Sequence, residues 1–430
     1  MSKFAIKNGI FLTMDERLPV LRGTMVVRDG VIESIGEADA GALEGCEIID
    51  GTHRLYMPGL VNTHSHLAMS LLRGYADDLA LQVWLEEKMW PNEAKFTEND
   101  VNWASQLSML EMLKSGTTCF VDMYDFMHVV ARNAETAGMR AVLTRGMIGL
   151  VPPEQQRAKL AEARDFAKTW HNRAEGRIRA MISPHAAYTC PPDFIEQSVA
   201  LAEELDLPIH THMSETLREV EDNVREYGAR PVAHLERLGV FSRPCLVAHA
   251  VHLNDDEIAI LARHDVRVSH NPGSNLKLAS GIARVPDLIR AGVKVSLGTD
   301  SSASNNNLDM FEEIRLAALL HKGVSGDPTA VPASTALHMG TLGGAESLWL
   351  ERVGALKPGW KADFIALDID QPHYYPHTDF VSHVVYSASS KDVTDVWVDG
   401  RRLLKNGEPT TLDEEKIKRE FALCYQRLMG

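Results

Sequence analysis

The residues best suited to chemistry begin with a His-x-His pair, His64 and His66, which follow the apolar residues Leu60 and Val61. On a β-strand, side chains two positions apart point the same way, so the two imidazoles would be close enough to share one metal ion. Neutral imidazoles suit borderline ions such as zinc. An isolated His-x-His is equally typical of two polar residues at a strand end, so the interpretation depends on partners elsewhere in the chain.

Those partners follow other short apolar runs of the chain. The residues concerned are His185, His210, His212, His249, His270 and Asp300. Glu215 stands three residues beyond His212. A purely structural role in the core or on the surface explains other histidines, such as His53 and His128. For the residues named above, the same explanation would have to hold separately at the end of each run. We therefore interpret the series as parts of one site.

Apolar runs that alternate with amphipathic helical segments are predicted to be strands. The eight runs span residues 60–66, 117–123, 140–145, 178–184, 208–213, 245–250, 266–270 and 294–299. Eight strand–helix repeats predict a parallel (β/α)8 TIM barrel at residues 58–353, closed by a helix at 334–348. A doubly wound sheet would carry a glycine-rich phosphate turn after its first strand, where this chain has histidines. Barrel enzymes build their sites at the carboxyl ends of the strands, where these histidines and Asp300 fall.

Turn residues indicate β-structure at both ends of the chain. Asn8-Gly9 and Asp29-Gly30 are predicted hairpin turns, and a later apolar run at 381–386 is one of the predicted C-terminal strands. Residues 1–57 and 354–430 are expected to pair into one small β-sandwich that ends in a C-terminal helix.

Composition and charge exclude several classes of protein. The chain has 430 residues and a formal net charge of −15, which disfavours nucleic acid and anionic membranes as partners. No apolar run approaches the ~18 residues of a membrane span, and the N-terminus lacks the apolar core of a signal peptide. We expect a soluble, cytoplasmic protein. The five scattered cysteines form no Cys-x-x-Cys, so neither a disulfide framework nor a thiolate zinc site is expected.

A mononuclear catalytic metal site needs three or four nitrogen or oxygen ligands and a water. His64 and His66 supply two. The fifth strand offers His210 or His212, and His212 is preferred because it lies nearer the strand end. Asp300 is the fourth. A second metal commonly requires a carbamylated lysine from the fourth strand, which contains no lysine, so one divalent ion is predicted. Zinc is the first choice, and Fe²⁺ or Mn²⁺ is compatible with the same ligands.

The order of these residues resembles the amidohydrolase superfamily over nearly the whole chain. Several further motifs resemble one branch of it, the 5'-methylthioadenosine/S-adenosylhomocysteine deaminases, to which triazine hydrolases and guanine deaminases are related. Those motifs are Leu71-Leu72-Arg73-Gly74, Phe120-Val121-Asp122-Met123, Ser269-His270-Asn271-Pro272, Ser274-Asn275, Lys277-Leu278, Gly298-Thr299-Asp300 and Ala303-Ser304-Asn305-Asn306.

The resemblance implies hydrolytic deamination of 5'-modified adenosines to inosine analogues, by a metal-bound hydroxide and with release of ammonia. Asp300 would accept the proton of the water, and His249 would orient the hydroxide. Glu215 would protonate the purine ring nitrogen, a task that calls for a partly desolvated carboxyl with a raised pKa. A carboxylate in the first turn of the following helix is the structural alternative for Glu215.

Substrate residues are also implied by the resemblance. Trp84 would pack near the substrate and Glu93 would hold the ribose 2'- and 3'-hydroxyls. Arg145 and Arg157 would meet the amino-acid carboxylate of S-adenosylhomocysteine, in some relatives across a subunit boundary, so a homo-oligomer is expected. His185 would line the purine or ribose side. A core aromatic, a solvated loop acid and a surface charge are the structural alternatives for Trp84, Glu93 and Arg157.

Two other functions are compatible with the same residues. The first is deamination of guanine or a pterin, or hydrolysis of a chloro- or aminotriazine, since attack on an electron-poor aromatic carbon is shared. Glu93 and the two arginines favour a nucleoside. The second is a non-catalytic barrel used for assembly, which a missing ligand would mark. None of the predicted ligands is missing.

Overall fold

The computed structural model describes residues 3–37 and 41–430, and its strands form three sheets. The strands are β1 (Lys3–Leu12), β2 (Val20–Arg28), β3 (Val31–Gly36), β4 (Glu47–Asp50), β5 (Arg54–Pro58), β6 (Leu60–Asn62), β7 (Thr117–Tyr124), β8 (Arg140–Met147), β9 (Ile178–Ala180), β10 (Ser183–Pro184), β11 (Ile209–Met213), β12 (Cys245–His249), β13 (Arg267–His270), β14 (Val295–Leu297), β15 (Phe364–Asp368), β16 (Val393–Val398), β17 (Arg401–Lys405) and β18 (Glu408–Pro409).

Both ends of the chain contribute to one nine-stranded sheet. Its order is β18-β17-β16-β15-β5-β1-β2-β3, and β4 pairs with β1. β5 joins the two halves, because it runs parallel to β1 and antiparallel to β15. Aromatic rings fill the core on this sheet: the centroids of Phe364 and Trp397 lie 4.5 Å apart and those of Phe4 and Trp397 6.3 Å apart.

The remaining strands form two parallel sheets. One has the order β10-β8-β7-β6 with β9 on β8, and the other is β11-β12-β13-β14. Backbone hydrogen bonds join the sheets at both sides: Thr63 N donates to Leu297 O and His210 N donates to Ile182 O, each at 2.9 Å. Each of the eight predicted strand regions contains a strand, and the fourth is split into β9 and β10. Parallel strands of this kind bring their carboxyl ends to one edge.

Helices connect the parallel strands, and polar side chains cap the N-termini of several of them. The Asn254 side chain accepts a hydrogen bond from Glu257 N at the start of one helix, and Thr97 does the same for Asp100 N. The α-helices are Leu81–Val83, Trp90–Glu93, Glu98–Lys114, Met127–Ala137, Pro153–Trp170, Arg173–Gly176, Pro192–Leu205, Leu217–Tyr227, Pro231–Arg237, Asp255–Arg263, Pro272–Lys277, Val285–Arg290, Met310–Ser325, Ala333–Met339, Leu342–Ser347, Phe380–Tyr386 and Glu414–Met429, with a π-helical segment at Trp84–Met89. Short 3-10 helices lie at Leu67–Leu72, Val240–Ser242, Pro372–Tyr374 and Ser390–Asp392. None of the helices in the described ranges has both the length and the apolar character needed to cross a membrane.

The predicted strand at 381–386 is wrong, because Phe380–Tyr386 is a helix. The Asp379 side chain accepts hydrogen bonds from two backbone amides of its first turn. Phe380 and Val384 are both buried, and their spacing of four places them on one helical face. A short apolar run fits either element, and here the cap and the packing select the helix.

Two other expectations need correction. Asn8-Gly9 lies inside β1, at a shift of register against β2, rather than in a hairpin turn. The predicted helix at 334–348 is two helices, because Thr341 between them has φ −130° and ψ −102°. Asp29-Gly30 does form the turn between β2 and β3, with φ of 50° and 80°.

A buried ion pair ties the parallel strands to the terminal sheet. Arg140 at the start of β8 donates to Asp363 at 2.8 and 3.2 Å and to Asp399 at 2.9 Å. The side chains of Arg140 and Asp363 are only 4% and 1% exposed. Removing the guanidinium would leave a buried carboxylate without its counter-charge.

We predict that Arg140→Ala lowers the free energy of unfolding by about 3–5 kcal/mol. Urea and thermal unfolding of the purified protein would measure the loss. The matched control is Arg132→Ala, which removes an exposed pair with Glu98 and should cost under about 1 kcal/mol. Equal losses for the two variants would contradict a structural role for the buried pair.

Candidate active site

Four histidines and one aspartate meet where the parallel strands end. His64 and His66 lie in the loop just after β6, His212 lies in β11, His249 ends β12, and Asp300 follows β14. His66 Nε2 lies 3.3 Å from His212 Nε2 and 3.3 Å from Asp300 Oδ1. His64 Nε2 lies 3.4 Å from the same Asp300 oxygen. The structure thus brings together the residues that the sequence placed at separate strand ends.

Main-chain carbonyls fix the orientation of two of these rings. His66 Nδ1 lies 2.6 Å from Met123 O, and His212 Nδ1 lies 2.7 Å from His185 O. A carbonyl oxygen only accepts, so each Nδ1 donates. In the neutral ring the lone pair is then on Nε2, which faces the centre of the cluster.

The orientation of His64 is fixed by the imidazole of His210, which in turn is held by a main-chain carbonyl. His210 Nδ1 lies 2.9 Å from Leu246 O and therefore donates to it. In a neutral ring His210 Nε2 must accept, and it lies 3.0 Å from His64 Nδ1. His64 Nε2 is left with its lone pair, buried and without a hydrogen-bond partner in the described chain.

Burial sets the protonation of the cluster. It lowers the pKa of His64, His66 and His212, so these rings are neutral. Burial alone would raise the pKa of Asp300, but its contacts with His64, His66 and His249 outweigh burial and hold that pKa well below its usual range. Neutral imidazole nitrogens beside an ionised carboxylate form a donor set suited to a divalent ion such as zinc.

The second oxygen of Asp300 is held away from the imidazoles. Ser274 and Ser304 donate their hydroxyls to Asp300 Oδ2 at 2.6 and 2.8 Å. Asp300 itself has φ of 59°, and His249 has φ of 75°. Residues other than glycine rarely adopt this left-handed backbone conformation, and those that do concentrate at functional sites.

Glu215 lies beside His249, at the edge of the cluster. Its Oε2 is 3.7 Å from His249 Nε2, and its Oε1 accepts from Ser280 Oγ at 3.3 Å. Burial raises the pKa of Glu215. Burial lowers the pKa of His249, but the carboxylates of Glu215 and Asp300 outweigh it and the net shift is upward. His249 Nδ1 is held by Asn275 Oδ1 at 2.8 Å. Glu215 and His249 can therefore hold and transfer a proton next to the imidazoles and carboxylate that are suited to bind a metal ion.

A cavity of about 330 Å³ opens onto this cluster, large enough for a small molecule. Four of the predicted substrate residues line it: Trp84, Glu93, His185 and Glu215. Apolar side chains cover much of the remaining wall, among them Met69, Leu81, Leu85, Phe96, Ile148 and Leu278. His270 does not line the cavity and lies instead 3.4 Å from His321, measured between Nε2 atoms.

Glu93 is not a solvated loop acid. Tyr124 donates its hydroxyl to Glu93 Oε1, and burial raises the pKa of Glu93 to about 7. Trp84 is 4% exposed and belongs to both the core and the cavity wall, so the two interpretations of this residue coincide. The ring centroid of His185 lies 4.4 Å from that of His212.

The two predicted arginines do not line the cavity. Arg145 is buried and donates to the Asp125 and Glu162 carboxylates and to Gly146 O. Arg157 is exposed on the helix Pro153–Trp170.

Sequence reasoning assigned no role to Tyr124, Asp125, Tyr188 or Asp122. The first three line the cavity. Asp122 is buried and accepts from Leu67 N at 2.9 Å, and burial raises its pKa to about 7. Their position at or just after the end of a predicted strand is the sequence feature that could have indicated a place in the site.

Solved structures place the chain in a known fold class. It superposes on the crystal structure of an adenosine deaminase from Xanthomonas campestris with bound zinc, with a TM-score of 0.93, 36% identity, and coverage of 100% of this chain and 99% of that one. The fold is therefore a mixed α/β fold of the TIM-barrel type.

Sequence relatives agree over most of the chain. A protein of Dictyoglomus thermophilum named 5-methylthioadenosine/S-adenosylhomocysteine deaminase is 54% identical, over 87% of this chain and 89% of its own. A protein of the same name from Halalkalibacterium halodurans is 50% identical over 98% of both chains. The model of the amidohydrolase family matches residues 55–403. The chain belongs to the amidohydrolase family.

Proposed function

We propose that this protein is a hydrolytic deaminase of 5'-modified adenosines, including 5'-methylthioadenosine, S-adenosylhomocysteine and adenosine. The products are the inosine analogues and ammonia. One observation carries the proposal: a single cavity is lined by His66, His212, His249 and Asp300 of the cluster, by the buried acid Glu215 and by the half-buried, tyrosine-bound Glu93. The names of the relatives that are 54% and 50% identical support the same substrates.

We propose that the two parallel sheets form one closed (β/α)8 barrel at residues 58–353. The hydrogen bonds that join them at both sides support closure. Residues 1–57 and 354–430 would form the small β-sandwich and the C-terminal helix, supported by the nine-stranded sheet to which both segments contribute. The homo-oligomer and the cytoplasmic location stay predictions.

We propose that His64, His66, His212 and Asp300 hold one divalent ion, with zinc preferred over Fe²⁺ or Mn²⁺. The inward lone pairs and the lowered pKa values of the three imidazoles support this assignment. A divalent ion bound there would lower the pKa of a coordinated water towards neutrality.

The chain's own groups would carry the proton transfers. Asp300, ionised and facing the imidazoles through Oδ1, is the acceptor for the proton of the attacking water. His249 lies close enough to orient that water and is itself held by Asn275. Glu215, whose pKa burial raises, can donate a proton to the purine ring nitrogen as the attacked carbon becomes tetrahedral. Transfer of a proton to the amino group then releases ammonia.

Trp84, Glu93 and His185 are proposed to bind the nucleoside. Glu93 Oε1 is engaged by Tyr124, which fixes the carboxyl in the wall where ribose hydroxyls would approach. This arrangement favours a nucleoside over a free guanine, a pterin or a triazine, none of which has a ribose. The family resemblance also implies Arg145 and Arg157 as substrate residues. They would act only on a substrate whose 5' substituent carries a carboxylate, such as S-adenosylhomocysteine.

A panel of substrates tests the function. We expect ammonia release from 5'-methylthioadenosine, and from other 5'-modified adenosines and adenosine at rates set by their 5' groups. Guanine and melamine should give at most trace release because neither reaches Glu93 with a sugar. A higher kcat/KM for guanine or melamine than for every nucleoside would refute the proposal.

We predict that His212→Ala and Asp300→Ala lose both bound metal and ammonia release, because each removes one of four donors. Elemental analysis of the purified variants would give the metal content. The control is His53→Asn, at an exposed turn with φ of 58°, which should keep about one ion per chain. Full turnover by His212→Ala after chelation would show that no metal site of this kind is used.

We predict that Glu93→Gln lowers kcat/KM for nucleosides by roughly ten- to a hundredfold, since hydrogen bonds to a charged group contribute about 1.5–3 kcal/mol. Deamination of free adenine should change little. Steady-state assays on adenine and 5'-methylthioadenosine provide the comparison, and Glu87→Gln, an exposed acid on the same segment, is the control. Equal losses on both substrates would remove the ribose role from Glu93.

A further inference from the structure

Glu219 is a buried carboxyl residue to which the proposed mechanism gives no part. It is the third residue of the helix Leu217–Tyr227 and is 3% exposed, whereas Glu221 on the same helix is exposed. It does not line the cavity. A carboxyl group removed from water is costly unless hydrogen bonds satisfy its oxygens, so its partners show what its burial serves.

Both oxygens of Glu219 accept hydrogen bonds from the main chain just before the helix. Ser214 N donates to Oε1 at 2.9 Å, and Glu215 N donates to Oε2 at 2.7 Å. An acid three residues after an N-cap ordinarily accepts from the amide of the N-cap residue itself, here Thr216. Glu219 instead reaches past Thr216 to the two residues before it, so its contacts hold the preceding turn.

The turn that carries Glu215 is also held from the opposite side. Ser214 O accepts from Val251 N and from His252 N, each at 3.0 Å, and these two residues come just after His249. Ser214 itself has φ of 52°, a left-handed conformation that a residue other than glycine keeps only where its surroundings enforce it. The carboxyl described above supplies the hydrogen bond on the amide side of this strained residue.

This arrangement determines where the Glu215 side chain points. With its amide on Glu219, the residue places Oε2 3.7 Å from His249 Nε2 and Oε1 3.3 Å from Ser280 Oγ. Thr216 Oγ1 accepts from Glu219 N at 3.2 Å, which links the turn to the helix a second time. Rotation of the Glu215 backbone would break its amide hydrogen bond and move its carboxyl away from the reacting end of the cavity.

We infer that Glu219 is a positioning residue, which fixes the backbone of Glu215 so that the Glu215 carboxyl faces the atom that it protonates. This inference rests on the proposed function, in which Glu215 is the proton donor. Because Glu219 lies outside the cavity wall, it acts on the reaction through Glu215 and not by touching the substrate. Correct placement of a proton donor governs the rate of the transfer, and a misplacement of about 1 Å can cost roughly a hundredfold.

The matched variants Glu219→Gln and Glu221→Gln test the inference. Glu219→Gln keeps the shape of the side chain but replaces one accepting oxygen with an NH2 group that only donates, so one of the two backbone amides loses its partner. We expect kcat for 5'-methylthioadenosine to fall about ten- to a hundredfold, while KM changes by less than about threefold. Glu221→Gln, at an exposed position of the same helix, should leave both constants unchanged.

Metal content and folding are measured on the same samples. The hydrogen bonds of Glu219 reach none of the four proposed metal ligands, so Glu219→Gln should keep about one ion per chain. If thermal unfolding shows that this variant is not folded, Glu219→Asp takes its place. Its carboxyl is shorter by one methylene group and is too short to reach both amides, so kcat should still fall at least about threefold.

A double-mutant cycle separates positioning from a general structural role. Glu215→Gln removes the proton donor, and the remaining turnover is measured with and without Glu219→Gln. If Glu219 acts through Glu215, the second substitution should lower that residual kcat by no more than about twofold. An equal fold-loss of kcat in both backgrounds would overturn the inference, as would a kcat within about twofold of the unaltered protein for the folded Glu219→Gln variant.

Failure of the proposed function would be seen before Glu219 is altered. If the metal-loaded, unaltered protein releases no ammonia from any nucleoside, or if Glu215→Gln keeps full kcat, the proposed function or the role of Glu215 is wrong and the inference fails with it. Loss of kcat with bound metal, folding and KM preserved supports the inference, provided that this loss disappears in the Glu215→Gln background.

Discussion

Burying several imidazoles and a carboxylate in one place is the constraint on which the rest of the structure depends. A buried polar group needs a partner, and a buried charge needs a counter-charge. Here the outer nitrogens of His66 and His212 donate to carbonyls, and His64 reaches the carbonyl of Leu246 through His210. Met123 and Leu246 lie in neighbouring strands and His185 directly follows one, so a shift in strand register would leave the rings without partners. The orientation of the imidazoles therefore depends on the register of the sheets.

Asp300 completes that balance as the carboxylate that both His64 and His66 contact. Its two oxygens are used differently, with Oδ1 facing the imidazoles and Oδ2 accepting from Ser274 and Ser304. The serine hydroxyls keep the carboxylate from rotating, and its left-handed backbone places it after β14 where an extended residue would point elsewhere. A group held in this way can accept a proton with little reorganisation, which is the condition for electrostatic preorganisation.

The eight parallel strand regions and the histidines at their ends could be predicted because both follow from local patterns. Short apolar runs define the strands, and polar residues just beyond them fall at one edge of the fold. Contacts made by long loops could not be predicted in this way. Tyr124 contacts Glu93 across 31 residues of sequence, and Glu93 itself follows the π-helical segment Trp84–Met89. One partner of Arg145, Glu162, lies on the helix Pro153–Trp170, and no periodicity in the sequence indicates which acids will face Arg145.

Substrate selection depends on the loop contacts more than on the strand-end histidines. In the proposed function the histidine–aspartate centre would contact only the carbon under attack and its leaving group, so it would not distinguish molecules that share an aminopurine. Discrimination must come from the outer wall, which is built from the segment around Trp84 and Glu93 and from the residues just beyond β7 and β8. Those residues are held by side-chain contacts rather than by sheet register. A substitution in that wall can therefore change which molecules bind while the hydrogen bonds that orient the buried imidazoles stay as they are.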